Sequence, residues 1–558
     1  MEILPDFQKF LWYKKDWNLS KLNEKEKDIL NQCMEKPTIA ISDNLEEIIQ
    51  KSKMFPIKFP IETIRLEKLK QRKPVERLKR NIESTYPLIH ERVLHLMAHF
   101  LVHKREYGSD IEKEFYKDMT VPQLIDRILK KRAISFVGPK DKYTLISGAK
   151  GSGGWEEIGT HEQKPPLLLK DCLSYDEMKL SAMVYVSGYT ECINDGDRHN
   201  KGVVNEDNVE LEAVIIGLIG PRFSRKGRMD FEDILITEEQ NVPENGYGED
   251  SENSPDASKY KAKKELRNVW SKFFETKPST YKEISSQAII GCEVKKGKRP
   301  FKKFKTEDGS VSLVSHKKVL SKVKNIQFDE EQYKERYIHV TKVIDKYIFD
   351  NEVYYKRLCI IAESALVEAE ARARERGKRA FVNVVGCGLG VWMISGHQCD
   401  VYVLTFLERA RELLRSGRLD HVADVNFAYV KASPNVEALF SNPKYQDDQF
   451  PNRKKIFLES KTHPNGGINV QMENRQPSSK LVGKDAGKLL VLTYPWDSNA
   501  HPGNEFWYGR LHTSGDPAAA CSTQVSELHN AHINPYVSSL HTRLVTGEGV
   551  TLLSEYCT

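Results

Sequence analysis

Apolar and polar positions recur along this chain on two different periods, and the changes of period divide it. From the start to about Lys131 the spacing is helical. RVLHLMAHFLVHKREYG, from Arg92, repeats apolar residues every three or four positions and stops at a glycine. NLSKLNEKEKDILNQCMEK and VPQLIDRILKKR share that spacing, so residues 1–131 are predicted as a helical region. Beyond Ala133 short β-rich runs take over: AISFVG, KYTLISG, the helix-to-strand SYDEMKLSAMVYVSG, and ELEAVIIGLIGPRF, a strand ending in a Gly-Pro turn. After MDFEDILI the core-forming pattern stops. EEQNVPENGYGEDSENSPDASKY is polar and rich in Gly, Pro and Ser, and the basic EVKKGKRPFKKFKTEDG soon follows, which predicts a disordered insertion over about 238–320.

Periodicity returns near Gln327. DNEVYYKRLCIIAESALVEAEARARERGKR reads as a helix, RAFVNVVGCGLGVW as a buried strand with a glycine turn, VYVLTFLERARELLRSG as a helix, and VADVNFAYV as a strand. This is the alternation of a sheet covered by helices. The last such unit, Leu489 to Asn530, is a strand, a polar loop and an alanine-rich helix. Open α/β sheets bind ligands in such crevices.

Composition narrows the class. A chain of 558 residues is expected to form roughly two to four domains. With 39% hydrophobic and 29% charged residues it is globular, and a net charge of +6 over 85 basic and 79 acidic groups does not imply nucleic acid. The basic run is therefore read as a solvated surface insertion. No stretch approaches the ~20 apolar residues of a membrane span, and the N-terminus has no secretory core. Nine cysteines without a CxxC pair point to reduced thiols in the cytoplasm, the nucleus not excluded, and to no structural zinc site.

The candidate chemistry lies in loops. The final unit carries Asp497, Asn504, Glu505 and Asp516. Asp516 precedes Pro517, so N-cap is its structural reading, while the helix it starts also presents free N–H groups to an anion. Gly386, Gly388 and Gly390 follow a strand but form neither a P-loop nor a dinucleotide fingerprint. They suit either backbone contact with a diphosphate or strand-helix packing. In INDGDRHN, Asn194 and Asp195 suit turn caps, and Arg198 suits an ion pair or a phosphate. His95, His99 and His103 share one helix face and are read as exposed or half-buried histidines rather than as metal ligands, since no carboxylate partner recurs with them. Cys521 near His512 and His529 is read as packing rather than as a nucleophile.

SGDPAAAC, PGNEFW, VVGCGLGVW, INDGDRHN and GLIGPRF, occurring in the chain from about Ile134 onwards, together resemble the macrodomain-like ADP-ribosyl hydrolase family that includes the Legionella effector MavL and invertebrate proteins. The resemblance implies a macrodomain-like three-layer α/β/α sandwich over residues 132–558. Its motif order is rearranged, since the Asn-containing strand end follows the diphosphate loop. It implies binding of ADP-ribose or an ADP-ribosylated protein, with ubiquitin as one candidate carrier, and hydrolysis of an N- or O-glycosidic bond without cofactor or metal. In that scheme Gly386, Gly388, Gly390 and the helix from Pro517 hold the diphosphate. Asp497 and Asn504 bind the distal ribose, and Glu505 or Asp516 activates water. Trp392 or Trp507 covers a sugar, Phe223 stacks on adenine, and Arg198 or Arg222 meets a phosphate, with Asn194 and Asp195 nearby. The alternatives are a non-catalytic ADP-ribose reader and a nucleic-acid-binding or scaffold protein.

Overall fold

The computed structural model describes residues 4–34, 44–248, 257–288, 332–342, 345–441 and 454–557. Among the described residues the strands are β1 (Tyr86–His90), β2 (Ser135–Val137), β3 (Lys142–Thr144), β4 (Lys150–Ser152), β5 (Val184–Glu191), β6 (Glu212–Leu218), β7 (Leu235–Ile236), β8 (Tyr337–Lys342), β9 (Asp345–Asp350), β10 (Ala380–Val385), β11 (Val422–Ala428), β12 (Lys455–Glu459), β13 (Gly467–Gln471), β14 (Leu489–Pro495), β15 (Arg543–Thr546) and β16 (Gly549–Leu552). Ten of them form one sheet in the order β12-β13-β11-β10-β14-β6-β5-β1-β15-β16. Neighbours from β13 to β6 are all parallel. β5 runs antiparallel to β6 and β1, and each end of the sheet is closed by an antiparallel strand.

The parallel core fits its residues. AVIIGL, AFVNVV, VADVNFA and LLVLTY are near-continuous apolar runs, as strands covered on both faces must be. Because β10, β14 and β6 are adjacent and parallel, the loops that follow them leave the same edge side by side. That edge carries Gly386–Gly390, Trp496–Glu505 and Ile219–Phe223. This is an α/β fold, and among its described helices none is long and apolar enough to cross a membrane.

Two expectations change. Tyr86–His90, inside the stretch read as helical, is an internal strand between β5 and β15. Its five residues YPLIH are all buried, and so short an apolar run between helices has no period of its own to reveal it. Within the expected disordered insertion, Ala257–Phe274 is a helix. Its Trp270, Phe273 and Phe274 are buried, and Trp17 meets Phe273 at 5.8 Å. An aromatic cluster at helical spacing outweighs the charge around it. The basic run that follows lies outside the described residues.

The helix Asn351–Glu375 crosses the sheet, and Arg357 on it is almost fully buried. Its Nε donates to Asp230 Oδ1 at 3.0 Å, and its Nη2 donates to the carbonyls of Ile219 and Ala182 at 2.9 and 2.8 Å. Removing one member of a buried ion pair leaves the other uncompensated, so Arg357→Met is expected to destabilise the fold by about 3–5 kcal/mol. Chemical denaturation measures this, and adding Asp230→Leu to the same chain should recover part of the loss.

Candidate active site

The glycine loop and the loop after β6 touch backbone to backbone. A Cβ on Gly220 would lie 2.3 Å from the Cys387 carbonyl carbon and from the Gly388 nitrogen. Gly388 itself turns through φ +77°, a left-handed conformation that side chains resist. Glycine at both positions lets the two loops close into one rim, with half-buried Trp392 beyond it.

Arg222 stands at the centre of that rim, buried, with its guanidinium carbon 5.2 Å from the Phe136 ring centroid and 5.4 Å from that of Trp392. Its backbone N–H donates to the second oxygen of Asp230 at 2.9 Å, so the Arg357–Asp230 pair also sets the course of this loop. Nε donates to Ser224 Oγ at 2.6 Å, whereas Nη1 has no partner among the described residues. Burial lowers the Arg222 pKa, and neighbouring Asp497 and Asp141 oppose that shift. A buried cation with an open donor beside glycine backbone suits an anionic ligand.

Three carboxylates lie within electrostatic reach of one another at this edge. Asp497, half-buried after β14, receives a hydrogen bond from Asn504 Nδ2 and is pushed up to about 6, by burial first, against the pull of Arg222 and with the push of Glu505. Asp516 is buried; its Oδ1 accepts from the Gly503 amide at 3.0 Å, and its Oδ2 has no partner among the described residues. Its pKa lies well above the ordinary carboxylate value because of burial, then the charges of Asp497 and Glu505. Glu505 is half-buried and accepts from the Ser514 hydroxyl. The helix Gly515–Ser522 has Ser514 as N-cap, and that side chain serves Glu505 instead of capping. Asp516 is thus not the cap that its place before Pro517 suggests.

Other expected ligand residues lie elsewhere or are already engaged. Asn504 is locked to β2: Phe136 N donates to its Oδ1 at 2.6 Å, and its Nδ2 donates to Phe136 O at 2.9 Å as well as to Asp497. Its amide holds Asp497 in place and leaves little for a ribose. Trp507 is buried against Phe55 and Phe59, at 5.3 and 4.8 Å, with Nε1 bonded to the Pro502 carbonyl, so it does not cover a sugar. Phe223 is buried 5.8 Å from Phe349 and is core rather than a stacking platform. Asn194 binds Asn200 and Val203 and accepts from Gly196, and Asp195 accepts from the Asp197 amide: both are turn caps. Arg198 is exposed beside them. Cys521 is buried, and burial pushes its thiol up to about 12, as packing requires. The three helix-face histidines bond to Ser20, Glu26 and the Ala262 carbonyl.

Phe136, Asp141, Tyr175 and Ser514 were missed. Asp141 is buried with φ +48°, and its carboxylate accepts from the Tyr175 hydroxyl, which places it within the electrostatic reach of Arg222. A lone Asp in a GPKDKY turn carries no signal of this in sequence.

Close-set carboxylates beside a buried cation with an open donor, at the carboxyl edge of parallel strands, make this an α/β protein with a charged candidate site. The family model described as ADP-ribosylhydrolase MavL-like matches residues 46–306 and 312–558, and the chain belongs to that family. It is also 37% identical over 529 residues to the ADP-ribosylarginine hydrolase CG3568 of Drosophila melanogaster, covering 94% of this chain and 90% of the relative. A second Drosophila melanogaster protein, ADP-ribosylarginine hydrolase CG2909, is 35% identical over 511 residues, covering 91% and 87%. The protein is an ADP-ribosyl hydrolase, a glycosidic-bond hydrolase acting on protein-attached ADP-ribose.

Gly220→Ala should wedge the two rim loops apart. Calorimetry with ADP-ribose is expected to show affinity reduced at least tenfold, about 1.4 kcal/mol, while the circular dichroism spectrum stays that of the parent.

Proposed function

We propose that this hydrolase removes ADP-ribose from arginine side chains, with Asp497 as general base and Asp516 as general acid. The observation that carries the reading is the close set of Asp497, Glu505 and Asp516, two of them held above the ordinary carboxylate range by burial and neighbouring charge, with buried Arg222 beside Asp497. The scissile bond joins the anomeric carbon of the distal ribose to a guanidinium nitrogen. Carboxylates attract that cation, and both named relatives are ADP-ribosylarginine hydrolases. The parallel strands and the ligand loops at one edge support a macrodomain-like reading of the fold.

Arg222 and the backbone of Gly386–Gly390 take the diphosphate, and Trp392 closes over the sugar beyond it. Asp497, ionised above about pH 6, accepts a proton from water as its oxygen bonds to the anomeric carbon. The C–N bond breaks with its electron pair going to the guanidine, and protonated Asp516 donates to that nitrogen. Free ADP-ribose and arginine result. Glu505, steadied by Ser514, receives the incoming guanidinium. Asp516 passes from the water-activating role expected of it to that of acid, because a buried carboxyl that keeps its proton is a donor. Asn504 passes from ribose ligand to positioning residue. Arg198, exposed near the turn, is left as a contact for the protein carrier.

The test is a panel of proteins carrying ADP-ribose on arginine, glutamate or serine, with arginine-modified ubiquitin as one arm. Release from arginine alone is expected; release from glutamate or serine but not arginine would overturn the arginine assignment. Since protonating Asp497 removes the base, kcat/KM should fall as pH drops through about 6, and Asp497→Asn should abolish that acid limb. Asp497→Asn and Asp516→Asn should each lower kcat by roughly 10²–10⁴, the usual weight of one general acid or base, with ADP-ribose still bound.

A further inference from the structure

Outside the reaction site, two thiols far apart in the chain meet. Cys33 is buried in the helical turn Gln32–Met34. Cys557 is half-buried, and its N–H donates to the Leu553 carbonyl at 3.3 Å, closing the short helix Leu553–Tyr556. That helix packs against both the Gln32–Met34 turn and the strand pair β15-β16, and the two sulfurs share a hydrogen bond. The contact is anchored on either side. Leu553 is buried, and its N–H donates to the Thr542 carbonyl at 2.9 Å, while the Tyr556 hydroxyl donates to Glu91 Oε2 at 3.3 Å. Ile29 and Leu30, in the helix just ahead of Cys33, are buried in the same core.

Other described thiols have different surroundings. Cys172 and Cys387 donate to carbonyls and Cys399 to the Met393 sulfur, and burial pushes each of the three up to about 12. Cys557 is lowered instead, because the hydrogen bond from Cys33 favours its thiolate more than partial burial disfavours it. That same bond, and then burial, raises the Cys33 thiol. A thiolate-prone, partly exposed sulfur beside a buried thiol is the arrangement of an attacking and a resolving cysteine.

We propose that Cys557 and Cys33 form an oxidative modification site that takes hydrogen peroxide and yields a disulfide between the two. The Cys557 thiolate attacks one peroxide oxygen, the O–O bond breaks, and the other oxygen leaves as water after taking a proton. The sulfur, now a sulfenic acid, is attacked by the Cys33 sulfur; the S–O bond breaks, and the hydroxyl departs as water with the Cys33 proton. Two thiols thus lose two electrons, and one peroxide gains them. The bond staples the helices ahead of β1 to the end of the sheet opposite β12. A cross-link between positions so distant in sequence removes loop entropy from the unfolded chain, so its effect is on stability.

In the test, the full chain meets a stoichiometric amount of hydrogen peroxide, is blocked with N-ethylmaleimide, and is digested for mass spectrometry. The expected product joins the Cys33 peptide to the Cys557 peptide, is lighter than the separate pair by two hydrogen atoms, and is split by dithiothreitol. Cys33→Ser should stop the reaction at the first step, so that dimedone labels Cys557 roughly tenfold more than in the parent, as expected of a sulfenic acid without its resolving thiol. The oxidised parent should also have a higher Tm than the reduced one, a shift that Cys557→Ser removes. Free thiols at both positions after treatment, a Cys557 joined to a second chain, or equal dimedone labelling in parent and Cys33→Ser would overturn the site. Equal Tm values in the two states would overturn the stapling role.

Discussion

Arg357 reaches from the second turn of the long helix to the carboxyl edge of the sheet, and what it meets there organises the site. It holds Asp230 with one nitrogen and the Ile219 and Ala182 carbonyls with another. Asp230 in turn accepts from the Arg222 backbone. A buried guanidinium must find an acceptor for each donor or leave a costly group unpaired, so this small network admits few alternative loop paths. Gly220 then meets the glycine loop with no room for a side chain, and Arg222 is delivered between Phe136 and Trp392. The reactive edge is a consequence of one satisfied cation.

The same logic, with the sign reversed, governs the carboxylates. At a helix N-terminus the dipole favours an ionised Asp. For Asp516 burial and two neighbouring carboxylates oppose that effect and win, because desolvation in a low-dielectric crevice outweighs a partial charge that decays within one turn. Asp497 lies nearer to water and within reach of Arg222, so its rise is smaller, to about 6. Chemically identical side chains separated by one loop are thus raised to different extents, by burial and by each other's charge. Asn504 contributes by rigidity: it fastens the loop to β2 and Asp497 to itself.

Much of the scaffold was legible in the chain. The apolar runs of β6, β10, β11 and β14, the long helix after Asp350 and the glycine turn all follow from periodicity and residue type, and the joint motifs pointed to the family. Less legible were elements too short to show a period, such as Tyr86–His90, and a helix whose aromatic face is diluted by charge, Ala257–Phe274. Aromatic residues were the least legible of the candidate ligands. Trp507 and Phe223 look like stacking platforms in a loop sequence, yet each is buried against aromatics at least 126 positions away in the chain.

By itself the sequence determined which segments fold locally, where the polar loops fall and which carboxylates lie close along the chain, because periodicity, turn chemistry and neighbouring charge are local properties. Tertiary structure alone decided that the loops after β6, β10 and β14 share one edge, that Asp141 lies within reach of Arg222, and that Ser514 serves Glu505 rather than its own helix. It also decided how deeply each carboxyl is buried and which charges surround it. Burial and charge-charge coupling are sums over everything nearby in space, and no stretch of sequence contains that sum.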